Sequence, residues 1–509
     1  MALAAGRRPW AMMITALIVY MVMVIAGTVY SWWKLDSLSF HTRDFPFYVE
    51  FCVRLGDPDM TQAYSLNPEG TSVLRYGGVE GARTDAGLHQ AVHFEPIKYL
   101  WAALYHSLGI RALLSIVTAI YFLPVLYLLA IVPTLRSRSF SFHMLFALCY
   151  GLYPSAMAAA SFDLRPFVAL LPFFSLALFS LLFERRRWEA LLFFNLLFTA
   201  REEALVLGLG IVLVALAMRG RSRKSDANLL PRILLLNWGV WAAVVVSYYL
   251  WTGYETSLPA DLLRYVTKLT DLRTLLVVAV VLTGVSALLL WAWRKTMHHG
   301  RTILVLLALS CLALLPALRD LRGESLTAIG LDVLYSPRDS IAPRIALLSL
   351  IPFWLGIRSA SRQRQFVWGQ AVLALVFVVF NVLPFPDTAV SRARLFRERL
   401  PSTTAVLEFG RSVDPYKTAI LCDLSTYQAF CHVDSARVYE RWPHWIIPGE
   451  ARFFPGDESY VKRFVEERAD YAAMSTGSAA VLIPLLSHNS VHFDTLSVSD
   501  LFLILRVER

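Results

Sequence analysis

Most of the chain between residues 11 and 383 is made of apolar blocks long enough to cross a hydrocarbon core, and that restricts the folds open to it. The blocks are residues 11–32, 112–134, 142–161, 166–183, 233–251, 275–293, 303–318, 341–357 and 366–383. In lipid the backbone has to satisfy its own hydrogen bonds, so each block is expected to be helical. The bulk composition agrees: of 509 residues, 57% are hydrophobic and 17% charged, and the mean hydropathy is +0.53. An ordinary soluble protein is excluded, and a polytopic membrane protein is expected.

The net charge of +10 would suggest nucleic acid in a soluble chain. Here the basic residues punctuate the blocks, so they read as topology determinants and no nucleic-acid partner is expected. Arg136 and Arg138, Arg185 to Arg187, Arg219 to Lys224, Arg294 to Arg301 and Arg358 to Arg364 fall on one side if the blocks alternate, the side of Arg7 and Arg8. The positive-inside rule makes that side the cytoplasm. The first block follows "GRRPW" and has no small-residue cleavage site before "SWWK", so it reads as an uncleaved signal anchor. A multi-pass protein of the inner (plasma) membrane is expected, with its N-terminus cytoplasmic and its C-terminus outside.

The alternation holds only if the run around "FTAREEALVL" leaves the cytoplasm and returns to it. Both flanks of that run, residues 190–218, are basic. About 29 residues at roughly 1.5 Å each cannot cross a core of about 30 Å twice, but they can form two half-length helices meeting at a turn. Arg201, Glu202 and Glu203 then cap a re-entrant hairpin facing protein or a water-filled chamber. The alternative is one tilted span with an internal Arg–Glu pair, which breaks the alternation of basic loops.

Counting the hairpin as two gives an all-α membrane domain of about eleven transmembrane or re-entrant helices. We expect a membrane domain over residues 1–385, including an external loop at 33–110, and a small extracytoplasmic α/β domain over 386–509. The loop ends in "VHFEPIKYLWAALYHSLG", whose helical apolar spacing beside Lys98 and His106 suggests a surface helix. The tail alternates strand-like runs ("TAVLEF", "KTAILC", "LFLILRV") with a helical one ("ESYVKRFVEERA"). Within it "AILCDLSTYQAFCHV" reads as strand, turn or helix, strand. In a non-cytoplasmic compartment a Cys422–Cys431 disulfide is expected, with two buried free thiols as the alternative.

Ionisable residues gather at the external ends of the blocks. Asp44 and Glu50 follow the first span in "RDFPFYVEFCVRLG", and His93 and Glu95 precede the surface helix. "FDLRP" supplies Asp163 and Arg165, the hairpin turn supplies Arg201 to Glu203, and "SPRDSIAPR" supplies Arg338 and Arg344. Polar groups converging on one membrane face point to a functional cavity. No HExxH, CxxC or glycine-rich phosphate loop is present. His298 and His299 lie in a basic cytoplasmic loop and read as ordinary surface.

An anchored first helix, an acidic residue early in a long external loop, a surface helix and re-entrant hairpins together resemble the membrane glycosyltransferases of the C superfamily. More narrowly, "RDFPFYVEFCVRLG", "VHFEPIKYLWAALYHSLG", the stretch from "SFDLRPF" to "FTAREEALVLGLG" and "SPRDSIAPRIALLSLIPF" resemble a bacterial family of predicted membrane proteins placed with that superfamily. The resemblance implies a polyprenyl-phosphate sugar donor and transfer to an acceptor outside the cytoplasm. It implies Asp44 as catalytic base, with Arg165, Arg201, Arg338 and Arg344 as candidate partners of the donor phosphate. Glu50, His93, Glu95, Asp163, Glu202 and Glu203 would line the substrate site, and a divalent metal stays open. A transporter or lipid-linked-sugar flippase is the rival reading, since it also accounts for broken helices. It predicts two similar halves, and the sequence shows no internal repeat.

Overall fold

The computed structural model describes residues 8–39, 45–54, 94–131, 140–161, 164–183, 187–219, 229–252, 300–314, 334–336, 340–357, 359–383, 388–433, 435–438, 465, 469–487 and 491–508. Fourteen helices precede the first strand among them: α1 (Arg8–Asp36), α2 (Phe45–Arg54), α3 (Ile97–Leu126), α4 (Phe140–Gly151), α5 (Ala156–Ala160), α6 (Leu170–Leu182), α7 (Arg187–Ala200), α8 (Ala204–Arg219), α9 (Leu229–Thr252), α10 (Gly300–Leu314), α11 (Ile341–Leu348), α12 (Leu350–Gly356), α13 (Ala360–Val382) and α14 (Ala389–Ser412).

Among the described residues four stretches are long and apolar enough to cross a membrane: Met13–Asp36, Ile97–Leu129, Leu229–Tyr248 and Ser361–Val382. Their outer faces are bare. Val22 is 60% exposed, Leu236 72%, Val246 55% and Leu375 63%, a density of exposed apolar side chains that suits lipid and not water. α6 is shorter and fully buried. Every residue of α6 lies in the core, Phe174 and Phe179 at 0% exposure.

Several expected spans are broken. The block 142–161 divides into α4 and the single turn α5, and 341–357 divides at Ser349 into α11 and α12. The last three turns of α3 contain Pro124 and end in a π-helical turn, Tyr127–Ile131. The block 275–293 lies outside the described residues.

Gly109 separates the expected surface helix from the span that follows. It sits inside α3 at φ 79° and ψ 171°, a backbone conformation that side chains resist. Just beyond it, Arg111 pairs with Asp36 at 2.8 Å, lies over the Trp32 ring at 5.7 Å and accepts the Trp32 indole N–H at its carbonyl. These contacts tie the start of the α3 span to the end of α1.

The tail carries a five-stranded sheet in the order β2-β1-β3-β5-β4, formed by β1 (Ala419–Cys422), β2 (Ser435–Val438), β3 (Tyr471–Ser475), β4 (His492–Val498) and β5 (Phe502–Glu508). β1 runs parallel to β2 and β3, and β5 antiparallel to β3 and β4. Asp423 caps the short helix α15 (Leu424–Tyr427) by accepting from the Thr426 amide. Its other oxygen accepts from the Ser475 amide and from the Ser475 and Ser478 hydroxyls, which joins the ends of β1 and β3.

Two sequence expectations for the tail need correction. "TAVLEF" is not a strand but the last turns of α14, whose inward residues Phe396, Thr403, Val406 and Gly410 recur at helical spacing. That face packs on α1, where the Thr403 hydroxyl donates to the Asp36 carbonyl at 2.7 Å, so tertiary contact overrides the strand propensity of the run. The Cys422–Cys431 disulfide is also absent, and both side chains are buried. Because β1 and β2 are parallel, the connection between them has to cross over. Cys422 therefore faces Val438 in register. Cys431 lies in a helical turn, with its thiol on the Gln428 carbonyl at 3.3 Å. Thiol titration of the unfolded protein without reductant should count both; a deficit of two thiols that reductant restores would contradict this arrangement.

Candidate active site

α7 and α8 form the hairpin. On one continuous helix, residues 198 and 208 would lie about 15 Å apart. Instead the chain turns at Arg201–Glu203, and a Cβ on Gly208 would clash with the Phe198 ring. The absence of a side chain at Gly208 thus allows the fold-back. α9 braces the pair from one side. The Trp238 indole donates to the Leu205 carbonyl, while Trp241 and Asn237 both donate to Asn195 Oδ1.

The turn is met by the residues that lead into α3. The Phe94 amide donates to Glu202 Oε2 at 3.0 Å, and the Phe94 ring lies edge-on to Trp241 and Tyr248 of α9. Glu95 follows, with its side chain 1% exposed, 3.8 Å from the Arg201 guanidinium. The same guanidinium is 3.5 Å from Glu202 and 2.9 Å from Glu203. From α2, the Tyr48 hydroxyl bridges both Glu95 oxygens at 3.1 and 2.9 Å. Lys98, the second residue of α3, is buried and lies over the Phe51 ring of α2. Sequence regions more than a hundred residues apart thereby enclose one polar cluster at the hairpin tip. A Glu203→Cys variant, at a side chain 47% exposed, should react with an impermeant maleimide from outside the cell; labelling only after permeabilisation would contradict the hairpin's orientation.

Burial is the largest influence on Glu95 and raises its pKa from the ordinary 4.5 to about 7. Glu202 adds to the rise, and Arg201, Lys98 and the Tyr48 hydrogen bond oppose it. Tyr48 is pushed well up, first by burial and then by Glu95. Between about 4.5 and about 7 the folded protein therefore keeps a proton on Glu95 that the unfolded chain has released. Stability is highest below that window and declines as pH rises through it, by a span on the order of 3 kcal/mol. Glu95→Gln should flatten the decline, seen as melting temperatures in detergent that differ less between pH 5 and pH 8. An unchanged slope would exclude Glu95 as its source.

The sequence nominees divide into three groups. Glu95, Arg201, Glu202 and Glu203 come together. Arg344 is buried elsewhere, among helices. It is 1% exposed, its guanidinium carbon lies 5.0 Å from the rings of Tyr121 and Tyr150 and 5.6 Å from that of Tyr153, and one nitrogen reaches the Tyr150 carbonyl at 3.4 Å. That carbonyl belongs to the C-terminal turn of α4, where a cation is favoured. Aromatic faces supply the rest of the cage. No carboxylate among the described residues pairs with Arg344, and its Nε is buried without a partner. Arg165 opens the 3-10 turn Pro166–Ala169, directly after Leu164, a non-glycine residue at φ 53°. Such a conformation costs on the order of 1–3 kcal/mol and recurs at functional sites.

Asp44, His93, Asp163 and Arg338 lie outside the described residues. Glu50 is on α2. Sequence reasoning missed Tyr48 and Lys34. Lys34 is 3% exposed at the end of α1 and donates to the Ser161 carbonyl at 2.9 Å, beside the "FDLRP" turn. Its position in the last turn of an apolar span is the signal that could have found it. Among the described residues no group of three His, Cys, Asp or Glu side chains could hold a metal ion.

Comparison with known proteins adds one family. Residues 78–259 match the family model described as "Predicted membrane protein (DUF2079)". The match spans the hairpin and includes Glu95 and Arg201 to Glu203. No curated protein matches the chain. Among solved structures, ArnT from Cupriavidus metallidurans bound to undecaprenyl phosphate aligns at 12% identity and a TM-score of 0.47, covering 96% of this chain and 97% of that one. The apo form of the same protein aligns at 11% identity and a TM-score of 0.44, with the same coverage.

Proposed function

We propose that the chain is an integral-membrane glycosyltransferase that moves a sugar from a polyprenyl-phosphate donor to an acceptor on the extracytoplasmic face. The observation that carries this reading is the hairpin tip. A transport site would be expected between two similar halves at mid-depth. This cluster is instead assembled from the end of the external loop, through Phe94 and Glu95, and the turn Arg201–Glu203. It is latched to α2 through Tyr48, directly after Asp44 in sequence.

In the reaction, the bond between the anomeric carbon and the donor phosphate breaks and its electron pair leaves with polyprenyl phosphate. The acceptor oxygen bonds to that carbon, and its proton passes to the Asp44 carboxylate. A phosphate leaves without a protein acid, so cations that stabilise its charge suffice. Arg165, Arg338 and Arg344 are proposed for that role, with Glu50, His93, Asp163 and Glu95 on the substrate side.

Arg201 fits the phosphate role less well. Three carboxylates already surround it, and at about 4 Å an added anion would meet each with a repulsion of roughly 4 kcal/mol at an effective dielectric of 20. We assign residues 1–385 to the membrane domain and 386–509 to the extracytoplasmic domain, with the N-terminus in the cytoplasm. The test is turnover. Purified protein in nanodiscs, given a prenyl-phosphate sugar and membrane extract as acceptor source, should release prenyl phosphate. Accumulation of intact donor on the opposite leaflet of proteoliposomes, without release, would favour the flippase reading.

A further inference from the structure

We infer that the hairpin tip is the glycosyl subsite, and that its carboxylates select a sugar bearing hydroxyl groups and no acid group. The inference rests on the glycosyltransferase reading and narrows the substrate class. Among the described residues the tip presents three carboxylates, Glu95, Glu202 and Glu203, against two cations, Arg201 and Lys98. Arg201 is engaged by all three acids, so it orients them and offers little to an incoming anion.

Glu203 commits one oxygen to Arg201 and remains 47% exposed, and Glu202 is 23% exposed. Both thus reach the accessible side of the cluster. An ionised carboxylate only accepts hydrogen bonds and has about four acceptor positions, a match for adjacent sugar hydroxyls. The aromatic flank suits the same ligand. Phe94, Trp241 and Tyr248 gather edge-to-face beside Glu202, and aromatic rings cover the apolar C–H face of a pyranose. A sugar carboxylate placed there would lie against Glu202 and Glu203, with Arg201 already engaged by three acids, and specificity of this kind comes from repulsion as much as attraction.

The experiment is equilibrium binding to the full chain in zwitterionic nanodiscs at pH 8, followed by tryptophan fluorescence. The probes are a short-chain prenyl-phosphate hexose, the matching prenyl-phosphate hexuronate and prenyl phosphate alone. The hexose should bind at least about tenfold more tightly than the hexuronate, the scale of one uncompensated like-charge contact. Glu202→Gln and, separately, Glu203→Gln should bring the ratio to within about threefold, chiefly by improving hexuronate binding. Glu203→Gln changes a half-exposed side chain, so its result stands even if Glu202→Gln unfolds. Equal binding of the two sugars by the unaltered protein, or an unchanged ratio in Glu203→Gln, overturns the inference. Binding of prenyl phosphate with no gain from either sugar overturns it while leaving the donor reading intact. If none of the three probes binds, the glycosyltransferase reading falls and the inference with it.

Discussion

Asp44→Asn should leave the protein folded and inserted while slowing sugar transfer by about 10²- to 10⁴-fold, the range for loss of a general base. The substitution keeps the side chain's shape and removes its negative charge. An Asp of ordinary pKa, about 3.9, is ionised at neutral pH and can orient and deprotonate an acceptor hydroxyl. The structure dictates the choice of control. Asp36, in the same region of sequence, pairs with Arg111 at 2.8 Å, so replacing it would loosen the junction of α1 and α3. Glu398 is the better comparison, since it forms only an exposed i,i+4 pair with Arg394, and such pairs contribute little. Transfer by Asp44→Asn within threefold of the unaltered protein, at matched amounts in the membrane, would remove Asp44 from the chemistry.

Arg201→Ala is expected to be the most damaging single change to stability at the hairpin, costing about 3–5 kcal/mol. The guanidinium is the common partner of Glu95, Glu202 and Glu203. Without it, a carboxylate 1% exposed and another 23% exposed face each other in a poorly solvated turn. Most of the cost is therefore stranded charge, not lost attraction, and it should be reversible. The double variant Arg201→Ala/Glu95→Gln should recover more than half of the lost melting temperature in detergent. An Arg201→Ala protein that melts with the unaltered one would show that the cluster does not hold the loop to the hairpin. Failure of the double variant to recover would mean that packing, not charge, is what Arg201 supplies.

The hairpin shows how far sequence reasoning could go. Basic residues on both flanks of 190–218, together with the length of the run, required a return to the starting side. No propensity scale could foresee that Gly208 would receive the Phe198 ring, or that α9 would lock the pair through Asn195. Those contacts depend on which helix faces which.

The composition and spacing of the apolar blocks determined that the chain belongs in a membrane and that its membrane part is helical, and the alternation of runs in the tail pointed to a small sheet with helices. These are solvation properties of single segments, and each segment carries its own record of them. Partnership was left to the tertiary structure. Glu95 and Arg201 were both named from sequence, yet only folding showed them 3.8 Å apart, with Tyr48 closing the cluster. Arg344 was grouped with them and proved to sit among three tyrosines. The two cysteines of the tail were expected to bond, and the parallel crossover between β1 and β2 kept them apart. A residue's type fixes what it can bond to, but which residue it meets depends on the packing of distant helices and strands, which leaves no periodic trace in the chain.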